Sequence, residues 1–304
     1  MMLYKISKNN LKDYINYLLE RYEVWGPKKI NDDYVFSRIE NGNEFSDVRT
    51  LLGPKDLIYP PQEKLFENDF HEIIVLGVKS CDFRAFKMLD DVLGIDNNYS
   101  ARRKLVHMFN FVCTEPCEFG FCTTFYGPRL DDFEMQFTDI GEYYLVETNT
   151  KKFINNLFEN ADKNNLDIAI EKSENVYKKM KKLNVEKLNE KISWDNPLWK
   201  EFSERCISCG ACNFACPTCF CFDVYDESER YREWDSCILA GFTRLAGNAN
   251  PRPTLDLRLR QRFMHKLKFH YENFDYHLCT GCGRCIEVCP VKIDIRDVIR
   301  SVGP

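Results

Sequence analysis

The chain has 304 residues, 44% of them hydrophobic and 29% charged, with a formal net charge of −5 and an isoelectric point near 5.7. That is enough apolar material for two packed domains, and it offers no electrostatic case for nucleic acid. No stretch approaches the roughly 18 apolar residues of a membrane span, which argues against direct membrane insertion. The start, MMLYKIS, lacks the apolar region of a secretory leader, so fifteen cysteines point to a reducing cytoplasm where thiols serve metals.

In chain order, residues 11–23 place Leu11, Tyr14, Ile15, Leu18 and Leu19 on a helical stripe, which Gly26-Pro27 is expected to stop. Residues 34–39 alternate like a strand, and Asn41-Gly42-Asn43 reads as a turn. Around Gly53-Pro54 and Pro60-Pro61 the chain reads as extended or looped. Residues 72–78 predict a buried strand and 82–93 the helix after it, while 104–113 and 142–148 predict two further strands. The expected product is an α/β domain over 1–192 with ligands where strands end. From 151 to about 192 the chain is charged and helical in pattern, and Lys178, Lys179, Lys181 and Lys182 read as a solvated helix face.

Cys81 follows the first of these strands, and Cys113, Cys117 and Cys122 follow the second. Four cysteines in two neighbouring strand-end loops offer a third metal centre, a [4Fe–4S] cluster or a zinc. Asp82 beside Cys81 allows a three-cysteine, one-aspartate variant. The plain alternative is that some are small buried side chains.

From Asn196-Pro197 the character changes, and a helix over 198–205 leads into Cys206-Ile207-Ser208-Cys209-Gly210-Ala211-Cys212-Asn213-Phe214-Ala215-Cys216-Pro217. A second run, Cys279-Thr280-Gly281-Cys282-Gly283-Arg284-Cys285-Ile286-Glu287-Val288-Cys289-Pro290, repeats its spacing. Both read C-x2-C-x2-C-x3-C-P, the pattern that wraps cubane clusters, in which the fourth cysteine of each run ligates the other cluster. Cys206, Cys209, Cys212 and Cys289 are therefore assigned to one [4Fe–4S] cluster, and Cys279, Cys282, Cys285 and Cys216 to a second. Zinc ribbons need two C-x2-C pairs for one ion and no following proline, and a disulfide framework belongs to short secreted chains. The segment 193–304 thus predicts a two-cluster ferredoxin-like domain with a long helical insertion over 222–276.

Cys219, Cys221 and Cys237 are left over, as packing residues or a separate site. The basic stretch Arg252 to His270 could dock an acidic partner, offset the charge of the clusters, or form an exposed helix face. His71, His107, His265, His270 and His277 are scattered and read as surface or packing residues. There is no G-x-G-x-x-G after a strand, no P-loop and no H-E-x-x-H, so no catalytic residue is assigned.

CISCGACNFACPTCFC (206–221), Trp234-Asp235-Ser236-Cys237, RLRQRFMHK (258–266) and Val291-Lys292-Ile293-Asp294-Ile295 resemble the iron–sulfur subunit of anaerobic sulfite reductase. They are similar also to the beta subunit of cytoplasmic sulfhydrogenases. GVKSCDFRAFKMLD (77–90), Ser100-Ala101-Arg102-Arg103 and CTEPCEFGFC (113–122) extend the resemblance to nearly the whole chain. There is one departure: the family usually has glycine where Cys117 stands and cysteine where Gly120 stands. The resemblance implies an electron relay between a flavin-containing input subunit and a terminal subunit holding sirohaem or a nickel–iron site. It leaves open the alternative of a stand-alone thiol- or sulfur-reducing enzyme.

Overall fold

A computed structural model describes residues 1–66 and 69–302. The first half supplies β1 (Met2–Ser7), α1 (Lys8–Leu19), β2 (Glu23–Ile30), β3 (Asp33–Arg38), β4 (Gln62–Lys64) and β5 (Ile73–Val78). It continues with α2 (Ser80–Leu93), α3 (Asn97–Arg103), β6 (Val106–Phe111), β7 (Met135–Asp139), β8 (Tyr143–Thr148), β9 (Glu159–Asn160) and α4 (Lys163–Lys179). Among the described residues, eight of these strands form one sheet in the order β3-β2-β5-β6-β7-β8-β1-β9. The centre, β2-β5-β6-β7, is parallel, and the flanks are antiparallel.

Successive strand residues face opposite sides, and β5 shows the result. Ile74 and Leu76 pack with α1 through Leu11, Tyr14, Ile15 and Leu18. Ile73 and Val75, and Val78 past a register shift, pack on the other face with Phe83, Phe86 and Leu89 of α2 and with Tyr99 of α3. A central parallel strand covered on both faces is apolar throughout, which made β5 readable from its sequence.

Three expectations are corrected. Gly26-Pro27 does not end α1, which stops at Leu19; both residues lie within β2. The ladder between β2 and β5 runs only from Glu23 to Trp25, so the missing N–H of Pro27 leaves no bond to β5 unmade. Helix over 151–192 is confined to α4 and one turn, α5 (Leu188–Lys191). Lys178 and Lys179 end α4, whereas Lys181 and Lys182 lie beyond it; all four are exposed.

The second half contains α6 (Leu198–Arg205), α7 (Ala211–Phe214), β10 (Phe222–Asp226), β11 (Arg230–Trp234), α8 (Leu255–Met264), α9 (His270–Phe274), α10 (Arg284–Glu287) and α11 (Ile295–Ser301). A π-helical segment, His265–Phe269, joins α8 to α9. The insertion thus carries its helix, preceded by a hairpin with no forewarning in the sequence. That hairpin pairs with β4 of the first half to make a three-stranded antiparallel sheet. The second core gathers Trp199 and Phe202 of α6, Leu259 and Phe263 of α8, and Ile295, Val298 and Ile299 of α11, with five cysteines packed against it.

Candidate metal centres

Both cysteine runs fold the same way. A glycine at positive φ, Gly210 (74°) or Gly283 (77°), turns the loop into a single helical turn, α7 or α10. A residue with a Cβ is strained in that conformation, so glycine is needed there. Each turn carries the third cysteine, Cys212 or Cys285, and the two turns pack on each other. The fourth cysteine of each run therefore points across to its twin.

Cys206, Cys209, Cys212 and Cys289 line one cavity, otherwise walled largely by apolar side chains including Ile238, Leu259, Phe263, Val291 and Ile293. Cys216, Cys279, Cys282 and Cys285 line a second. Cys81, Cys113, Cys117 and Cys122 line a third, at the carboxyl ends of β5 and β6, with Met180 closing one side. Cys285 belongs to the walls of the first and second cavities, and Cys282 to those of the second and third. The three stand in series.

The donor set suits an iron–sulfur cube. Each cavity presents four or five soft sulfur donors in largely apolar surroundings. Among the described residues, no three His, Cys, Asp or Glu side chains converge on a point where one ion would sit. Backbone N–H groups reach two of the sulfurs, Ser208 to Cys206 Sγ at 3.4 Å and Ile293 to Cys289 Sγ at 3.3 Å. Burial pushes the Cys113 thiol up to about 11 and those of Cys122 and Cys279 up to about 12, so thiolate there calls for a cation or a metal.

Cations are supplied from the helix of the insertion. Arg258, Arg262 and Lys266 recur every four residues, and all three are buried. The reading of this stretch as an exposed face is thereby overturned. Lys266 Nζ donates to Cys216 Sγ at 3.2 Å and to Thr218 Oγ1 at 2.9 Å. Contact with the Cys219 thiol, then the charge of Lys266, holds Cys216 well below the usual thiol range. Arg262 donates to Asn213 Oδ1 at 2.8 Å and to the Cys212 carbonyl at 3.3 Å. Lys55, buried against the Trp234 ring, donates to the Cys219 carbonyl at 3.0 Å.

Asp82 does not face the third cavity as a ligand. It forms a bidentate ion pair with Arg284, with Nη2 2.9 Å from Oδ2, and both side chains are almost wholly buried. This pair ties the first turn of α2, beside Cys81, to α10, between Cys282 and Cys285. The backbones also meet here: the Phe121 N–H donates to the Gly281 carbonyl at 2.7 Å. A Cβ on Gly281 would stand 2.7 Å from Cys122 N and Cα. Gly120 and Cys117 are neighbours too, for a Cβ at Gly120 would lie 3.2 Å from Cys117 Cβ.

The histidines hold no place at these centres. His107 bonds Glu134 at 3.0 Å and Glu72 at 3.2 Å, and His277 bonds the Leu267 carbonyl at 3.0 Å. Lys55 and the Asp82–Arg284 pair went unread in the sequence. The basic stretch was read there as able to offset cluster charge, and its four-residue spacing is the signal that one face of it is buried.

Residues 205–293, which hold both runs, match the 4Fe-4S dicluster domain family, and that match supports two [4Fe–4S] clusters. The chain is 31% identical over 335 aligned positions to sulfhydrogenase 2 subunit beta of Pyrococcus furiosus, covering 99% of this chain and 98% of the relative. A stretch of 97 aligned positions is 26% identical to the F420-dependent formate dehydrogenase subunit beta of Methanocaldococcus jannaschii, covering 32% of this chain and 20% of that relative. No solved structure matches the chain significantly.

Proposed function

The chain belongs to the sulfhydrogenase 2 beta-subunit family, and from that premise we propose that it is an iron–sulfur relay subunit with three [4Fe–4S] centres and no catalytic residue of its own. The supporting observation is the series of three four-cysteine cavities joined through Cys285 and Cys282. The proposed ligand sets are Cys206, Cys209, Cys212 and Cys289; Cys279, Cys282, Cys285 and Cys216; and Cys81, Cys113, Cys117 and Cys122. A bound cube supplies a one-electron couple whose potential follows from hydrogen bonds to sulfur, burial and nearby charge.

The residues present set those terms. Lys266 and Arg262 offset the negative charge of four thiolates, and the Ser208 and Ile293 N–H groups hold two sulfurs in place. Cys209 and Ile207 stand exposed at the rim of the first cavity, which opens that centre to a partner. The partners proposed are a flavin-containing input subunit and a terminal catalytic subunit. The sulfhydrogenase relative favours a terminal subunit of the hydrogenase kind over a sulfite reductase. Among the described residues no helix is long and apolar enough to cross a membrane, and the proposed place of work is the cytoplasm.

Two measurements test this reading. Cys117→Ala lowers the iron of the purified chain by about four per molecule, the content of one cube; unchanged iron removes Cys117 from the third centre. The isolated chain, given a chemical reductant and sulfite or polysulfide, shows no turnover. Turnover without a partner would make it an enzyme in its own right.

A further inference from the structure

Cys219, Cys221 and Cys237 line none of the three cysteine cavities. Two of them are brought together by the hairpin of the insertion. Phe222 of β10 lies opposite Trp234 of β11, and just outside that pair the Asp235 N–H donates to the Cys221 carbonyl at 2.9 Å. The chain then turns back and brings the thiol and N–H of Cys237 against the Cys221 sulfur. Cys237 is buried and fixed from the opposite side: Asn213 donates to its sulfur at 3.1 Å and to Ser236 Oγ at 2.9 Å. Asn213 itself lies between Cys212 and Cys216 and is held by Arg262. The pair is thus bolted to the turn that carries a ligand of the first centre.

We propose that Cys221 and Cys237 form a redox-active dithiol that closes to a disulfide beside the first cysteine run and holds two electrons when open. This rests on the relay reading, because the clusters are its redox partners. Closing forms the Cys221 Sγ–Cys237 Sγ bond and breaks two S–H bonds. Two protons leave to solvent, and two electrons pass singly to two oxidised [4Fe–4S] centres. Opening takes two electrons from two reduced centres and two protons from solvent. A two-electron store among one-electron carriers lets the subunit accept a pair of electrons and release them singly.

The test uses the full chain, purified anaerobically and poised with redox mediators at a series of potentials. It is then quenched in acid, unfolded, alkylated and mapped by mass spectrometry. At oxidising poise a peptide cross-linked between Cys221 and Cys237 appears and two alkylations are lost. At reducing poise both return, with equal iron in the two samples. Free thiols at both positions at every potential that oxidises the clusters would overturn the proposal, with the relay reading left standing. Cys237→Ser that loses about four irons would overturn it differently, by making the pair a cluster ligand. A chain without iron would remove the relay reading and this proposal together.

Discussion

At the scale of single residues, the sharpest contact is Lys266 Nζ on Cys216 Sγ, 3.2 Å apart and fully enclosed. A fixed cation beside a cluster favours the more negative, reduced state. Lys266→Met therefore lowers the reduction potential of the second centre, by roughly 50–100 mV for one charge at this range. A potentiometric titration followed by EPR reads the shift, and an unchanged potential would mean that Lys266 is only a packing element. Cys117 and Gly120 offer a second test, since a Cβ at position 120 would stand 3.2 Å from that of Cys117. Cys117→Gly combined with Gly120→Cys keeps the iron that Cys117→Ala loses; if the double variant stays iron-poor, position 120 cannot deliver a ligand. The two cysteine runs were legible in the sequence because C-x2-C-x2-C-x3-C-P is a local spacing. Lys266 was legible only as part of a basic stretch able to offset cluster charge, because which cysteine it meets depends on packing 50 positions away in sequence.

Between elements, the Asp82–Arg284 pair couples α2 of the first half to α10 of the second. Removing one partner leaves a buried charge alone. Arg284→Met is therefore expected to cost about 3–5 kcal/mol, read as a lowered Tm of the cluster-loaded protein under anaerobic conditions. A Tm within error of the parent would show that the pair is not buried as described. The same scale shows what pattern reading could and could not deliver. β5, β6 and β8 were legible as near-continuous apolar runs, and α2 by its helical stripe. β7 was not, because its inward positions include polar Gln136, paired with Asn110 at 2.9 Å, the Leu130 N–H at 2.9 Å and Glu147 at 3.2 Å. A buried polar network breaks the hydrophobic alternation that marks a strand. The hairpin β10–β11 escaped for another reason: its residues are largely exposed, and its pairing with β4 spans more than 160 positions of sequence.

Across the whole molecule, the cysteines have a structural place besides the proposed ligand role. Cys206, Cys212, Cys279, Cys285 and Cys289 pack against the second core, so stripping the metal removes part of what that core closes on. Hydrogen exchange of the metal-free chain is expected to speed up in 198–214 and 279–301, with β5, β6 and β8 still protected; uniform loss of protection would mean that the halves fold only together. The series of cavities crosses from one half to the other where Gly281 meets the Cys122 backbone and Arg284 meets Asp82. Everything functional in this account depends on all three cavities holding cubes. The most direct test is a count of iron and acid-labile sulfide in the anaerobically purified chain, with EPR after reduction. About twelve of each per chain, with signals from three reduced centres, is the predicted result. About eight would leave the cavity at Cys81, Cys113, Cys117 and Cys122 without a cluster and break the series at Cys282.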